Sequence, residues 1–216
     1  MPTVKEIYGY IKTIAPEYMA MEWDHVGLLC GRSDREVRRV LVALDPFFPV
    51  AQEAKELDCQ LLVTHHPAIW KLDKVNDESM QGQTMLYLIE NGISAINAHT
   101  NLDCAPDGVN DVLARTLGLE DIRVINPNGT DDHGREWGLL RCGNVKAQTL
   151  EDFLHHVKST LGSEGLRYVD SGKPVHKVAV GGGACSDGLY DAILAGCDTF
   201  VTSDVKYNNF WDAKEQ

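Results

Sequence analysis

The sequence has no C-x-x-C pair. Its six cysteines, Cys30, Cys59, Cys104, Cys142, Cys185 and Cys197, are scattered along 216 residues. That pattern withdraws support for a zinc knuckle or a dithiol redox motif and reads as free, buried thiols. No apolar run approaches the roughly 20 residues that a bilayer span requires. The opening Met1-Pro2-Thr3-Val4-Lys5-Glu6 carries charge where a secretory leader would carry an apolar stretch. A cytoplasmic location with no membrane partner is therefore expected. Basic side chains are also scarce: 20 Lys and Arg stand against 32 Asp and Glu, a net charge of −12. Such a surface repels a polyanionic backbone, so nucleic acid is not an expected partner.

What remains is the composition of a globular protein, 44% hydrophobic and 24% charged, which argues against disorder. Val4, Ile7, Tyr8, Ile11 and Ile14 recur at helical spacing, and Pro16 closes the pattern. Further on, apolar runs at Val40 to Asp45, Gln60 to Thr64 and Ile93 to Asn97 alternate with helical patterns at Val50 to Leu57, Glu78 to Glu90 and Val109 to Leu117. Strands alternating with helices predict an α/β fold, with mainly parallel or mixed sheets flanked by helices. A turn-rich stretch from Ile122 to Asp132 marks the expected boundary between two similar α/β halves, 1–125 and 126–216. The second half reads as strands near Trp137 to Arg141, Val178 to Val180 and Phe200 to Thr202, with helices at Leu150 to Leu161 and Gly188 to Leu194. A last helix, Asn208 to Gln216, has no C-cap glycine and no following strand, which fits either a frayed surface helix or a chain that continues.

Chemistry gathers at the strand ends. His65 and His66 sit between Thr64 and Pro67, and a second junction, Asn97 to Asp103, again places a histidine and a carboxylate just past an apolar strand. Adjacent side chains of a regular strand point to opposite faces, so a histidine doublet converges only where the strand gives way to a turn. A lone histidine at a strand end is commonly a hydrogen-bonded core residue. The doublet joined by a His99/Asp103 junction points to metal, and imidazole with carboxylate suits zinc, iron, manganese or nickel. Gly181-Gly182-Gly183 follows a predicted strand and precedes a helix, so its amides are candidates to cradle an anion, or else form a tight turn that needs glycine.

Val63-Thr64-His65-His66-Pro67, His99-Thr100-Asn101-Leu102-Asp103, Trp23-Asp24-His25-Val26-Gly27 and Thr202-Ser203-Asp204-Val205-Lys206-Tyr207 resemble, in order and separation, the dinuclear-metal YbgI-like family of GTP cyclohydrolase 1 type 2 homologues. By that resemblance His65, His66 and Asp103 match three of five metal ligands. The remaining two, a histidine and a glutamate four residues later, fall downstream of Gln216. Ser203 and Asn208 stand where relatives often have glycine and histidine. His25, His99 and Asp204 are candidates to support the ligands from behind. The resemblance further implies two divalent ions, a ring-shaped homohexamer and a metal-dependent hydrolase acting on a small molecule. The alternative is a non-catalytic metal-binding scaffold that acts through the ring.

Overall fold

In the computed structural model, which describes residues 1–71 and 74–216, the chain opens with helix α1 (Val4–Ile14). Thr3 and Glu6 close a reciprocal capping box at its start, satisfying amides that the first turn cannot pair. Strand β1 (Gly27–Cys30) follows, then β2 (Val40–Ala43), helix α2 (Phe48–Glu56), β3 (Leu61–Thr64), α3 (Met80–Glu90), β4 (Ser94–Asn97) and the short α4 (Thr100–Cys104). Next come α5 (Val109–Thr116), β5 (Glu120–Ile125), the hairpin strands β6 (Gly129–Thr130) and β7 (Glu136–Trp137), β8 (Leu140–Gln148) and α6 (Leu150–Thr160). The chain ends with β9 (Val175–Val180), α7 (Leu189–Leu194), β10 (Thr199–Val201) and α8 (Tyr207–Glu215). No helix among the described residues is long and apolar enough to cross a membrane.

The chain divides into two compact units, Met1–Leu102 and Asp103–Gln216. The break therefore falls well before the turn-rich stretch at which the sequence places it. The physical reason is β5: it pairs antiparallel with β8, Ile125 opposite Leu140, so a boundary after residue 125 would cut a sheet in two.

The first unit holds a four-stranded sheet in the order β1-β4-β3-β2, with β2, β3 and β4 parallel and β1 antiparallel on the edge. Because side chains alternate along a strand, β3 and β4 feed two cores. Leu61 and Ile96 pack with Val4 and the α1 stripe on one face, while Leu62 and Ala95 pack with Ala51, Ala54, Met85 and Leu88 of α2 and α3 on the other. Leu61 and Leu62 are wholly buried, each worth about 1.5–3 kcal/mol of transfer free energy. The sequence reads residues 40–45 as a buried strand, but β2 is an edge strand with Val42 73% exposed, and Leu44, just past it, is 62% exposed.

The second sheet, β10-β9-β8-β5, is parallel only between β9 and β10; β8 runs antiparallel to both β9 and β5. No helix separates β5 from β8, only the β6–β7 hairpin, so the right-handed crossover that makes strands parallel is absent there. Val178 and Val180 face α5 and α6, and Ala179 faces α7. Arg141 of β8, 1% exposed, lies inside this unit. Its guanidinium pairs with both carboxylate oxygens of Asp111 and donates to the carbonyls of Gly138, Cys104 and Ala105. All six cysteines are free, and all but Cys197 are buried, as the sequence suggests.

Candidate metal centre

Strand register brings the site together. Ala43 of β2 lies beside Thr64 of β3, Thr64 beside Asn97 of β4, and Asn97 beside Gly27 of β1. The segments that leave β2, β3 and β4 and the segment that enters β1 therefore meet at one edge of the first sheet. These carry Asp45, the His65-His66 doublet, His99 and Asp24. Gly27 tightens the last of these: its amide donates to the Asn97 side chain, and its φ of 109° is a backbone conformation that favours glycine.

The doublet converges because the strand stops. The Thr64 hydroxyl donates to the His66 carbonyl at 2.7 Å and the His66 amide donates to the Leu44 carbonyl at 3.0 Å, which bends the chain out of strand geometry within two residues. The His65, His66 and His99 rings then form a triangle with centroid separations of 5.1, 5.1 and 5.6 Å. One ligand nitrogen from each lies within 4.8 Å of the others.

Every ring is held from behind by Nδ1. His65 donates to the Ala98 carbonyl at 2.9 Å, His66 to Asp45 Oδ1 at 2.6 Å and His99 to Asp24 Oδ2 at 2.9 Å. With the proton fixed on Nδ1, the lone pair of each neutral ring sits on Nε2, which is the tautomer a metal ligand needs. Burial, then the neighbouring His99 ring, pulls the His65 pKa below the ordinary histidine value against the opposing Ala98 bond, so the neutral form dominates near pH 7. Asp24 is buried to 1% side-chain exposure. Burial alone would raise its pKa; hydrogen bonds from His99 and from the Thr100 hydroxyl and amide more than offset this and bring it down to about 2. Asp24 is thus a fixed negative charge behind His99. Three imidazoles, each oriented through Nδ1, fit a divalent transition metal.

The other residues singled out by sequence are distributed as follows. His99, expected in a supporting place, stands with the other two rings. His25 is exposed and contributes its backbone, the amide to Asp24 Oδ1 and the carbonyl to Asn97. Asp103 belongs to the second unit, is 7% exposed, and helps burial push the Cys185 thiol up to about 11. Asp204, also in the second unit, is exposed. In the glycine turn the Gly181 amide donates to the Val201 carbonyl and the Gly182 amide to Asn110 Oδ1, so two of its three amides are spent within the protein. Asp45 was missed by sequence reading. Its signal was available: a carboxylate just past a strand, the same pattern that marked the other junctions.

Sheet, register and imidazole triangle together define a mixed α/β protein with a histidine cluster suited to metal. The family model described as Duf34/NIF3 (NGG1p interacting factor 3) matches residues 2–216, and the chain belongs to that family. It is 32% identical over 215 residues to a Clostridium perfringens protein named GTP cyclohydrolase 1 type 2 homolog, covering 98% of this chain and 81% of that one. It is 36% identical over 220 residues to the Streptomyces coelicolor protein of the same name, covering 99% and 76%. Among solved structures, Staphylococcus aureus protein SA1388 superposes with a TM-score of 0.89 at 30% identity, covering 99% of this chain and 83% of that one. Reduced HcgD from Methanocaldococcus jannaschii superposes with a TM-score of 0.80 at 31% identity, with the same coverage.

Proposed function

We propose that the protein is a cytoplasmic, divalent-metal-dependent hydrolase of a small molecule, with His65, His66 and His99 as its imidazole ligands. The observation that carries the reading is the convergence of the three rings, one ligand nitrogen of each within 4.8 Å of the others, with each ring oriented by a hydrogen bond at Nδ1. A divalent ion held there supplies Lewis acidity and lowers the pKa of water. The chain's own part is to orient the donors. Asp45 and Asp24 hold the Nδ1 protons of His66 and His99, the Ala98 carbonyl holds that of His65, and the shared register of β2, β3 and β4 fixes the three turns that carry them. The relatives' name supports hydrolysis as the reaction class. A second ion and a ring-shaped homohexamer complete the proposal.

Metal analysis of purified protein, paired with a hydrolase substrate panel, tests it. Stoichiometric metal and turnover in the wild type, both lost in His65→Ala/His99→Ala and both lost on chelation, is the expected result. Stoichiometric metal with no turnover on any substrate would leave the non-catalytic scaffold, and no bound metal would remove both readings.

A further inference from the structure

Two of the four tryptophans stand at the sheet edge that carries the imidazoles. Trp23, in the segment entering β1, meets the His99 ring at 6.2 Å between centroids and an interplanar angle of 72°; Trp70, in the segment leaving β3, meets it at 5.2 Å and 89°. Yet Trp23 is 61% and Trp70 53% exposed, and neither belongs to the two cores of the first unit. Indoles are among the largest apolar groups and are ordinarily taken out of water in cores and interfaces. Both are held in place. Asp24, the residue after Trp23, is pinned by His99 and Thr100, and the Trp70 amide donates to the Gln81 side chain at 3.4 Å. These rings therefore project from ordered backbone, beside the only cluster of metal-ligating groups found among the described residues.

We infer that Trp23 and Trp70 form a stacking platform for the substrate, and that the substrate carries a planar, uncharged or anionic heteroaromatic ring. This rests on the metal reading above. Indole π-faces bind flat rings of any sequence or substitution by stacking, whereas an aliphatic group gains only area. A cation, the other ligand that aromatic side chains favour, is disfavoured because a divalent ion on the neighbouring imidazoles would repel it. Ring nitrogen or oxygen atoms give such a substrate a lone pair to direct at the cluster.

Isothermal titration calorimetry on metal-loaded protein tests the platform, with hypoxanthine and uracil as flat probes and piperidin-2-one as a non-planar lactam control. Flat bases should bind at least roughly 5-fold more tightly than the lactam, and Trp23→Leu and Trp70→Leu should each weaken base binding by roughly 5- to 150-fold. Metal content and melting temperature, read on the same samples, should stay at wild-type values. Undetectable base binding at millimolar concentration, lactam binding equal to that of the bases, or base binding unchanged in both variants overturns the platform. The two readings fail separately. Metal without base binding overturns the platform alone, whereas indole-dependent base binding in protein that takes up no metal supports the platform and removes the metal site.

Discussion

The junctions after β3 and β4 in the first unit and the glycine turn after β9 in the second occupy the same kind of place: each follows a parallel strand at its carboxyl end. They differ in what folding leaves over. The Gly181 and Gly182 amides are consumed by Val201 and Asn110, and the Gly183 carbonyl accepts from Ser203, Cys185 and the Thr202 hydroxyl. Arg141, the most deeply buried charge of that unit, likewise spends its donors on Asp111 and on backbone carbonyls. In the first unit each imidazole is anchored through Nδ1, and the three rings converge so that one ligand nitrogen of each lies within 4.8 Å of the others. A strand-end turn becomes a binding site when its polar groups outnumber its internal partners. By that criterion the second unit's polar groups serve stability, whereas the first unit's imidazoles form a cluster that could hold a metal ion.

The largest expected effect breaks the second unit. Arg141→Met leaves Asp111 and several carbonyls buried without their donor, and losing one partner of a buried pair costs about 3–5 kcal/mol. Urea unfolding should show that loss, and Arg141→Met/Asp111→Leu should recover much of it because the stranded carboxylate is gone. A change below about 1 kcal/mol in the single variant would mean that the network contributes little.

The next effect sharpens the first unit. Asp45→Ala frees the His66 ring to rotate and change tautomer, and removing such an anchor typically costs about 10- to 100-fold in metal affinity. Competition against a chromophoric chelator measures this. Since His66 and Asp45 are 36% and 31% exposed, the metal-free melting temperature should move little. Asp24→Ala should instead lower both quantities, because four hydrogen bonds end on its buried carboxylate. Unchanged metal affinity in both variants would make the two carboxylates structural only.

Legibility followed burial and locality. The central strands β3 and β4 are buried on both faces and show in the sequence as continuous apolar runs. β5 does not: Glu120-Asp121-Ile122-Arg123-Val124-Ile125 is an edge strand with a register shift, and its exposed charged positions imitate a turn. The histidine doublet announces itself because its signal is local. Asp45 and His99 each carry the local signal of a polar group just past a strand, but their meeting with the doublet depends on the alignment of Ala43, Thr64 and Asn97 across three strands, which sequence spacing does not encode. Arg141 was silent for the same reason, since its acceptors arrive from residues 104, 105, 111 and 138.

The smallest effect tests the comparison where it is most easily overturned. Gly183 has a φ of +66°, and a Cβ built there meets nothing within 4 Å, so Gly183→Ala should cost only the left-handed backbone penalty, about 1–2 kcal/mol. If the turn's amides are committed internally, millimolar inorganic phosphate should leave the melting temperature of the wild type and of Gly183→Ala unshifted. The expected contrast is with the first unit, where a divalent ion at about 100 times its Kd should stabilise the fold by about 2.7 kcal/mol. A phosphate-dependent rise in the wild type that Gly183→Ala abolishes would show that the glycine turn, too, keeps donors in reserve, and would remove the distinction drawn between the two units.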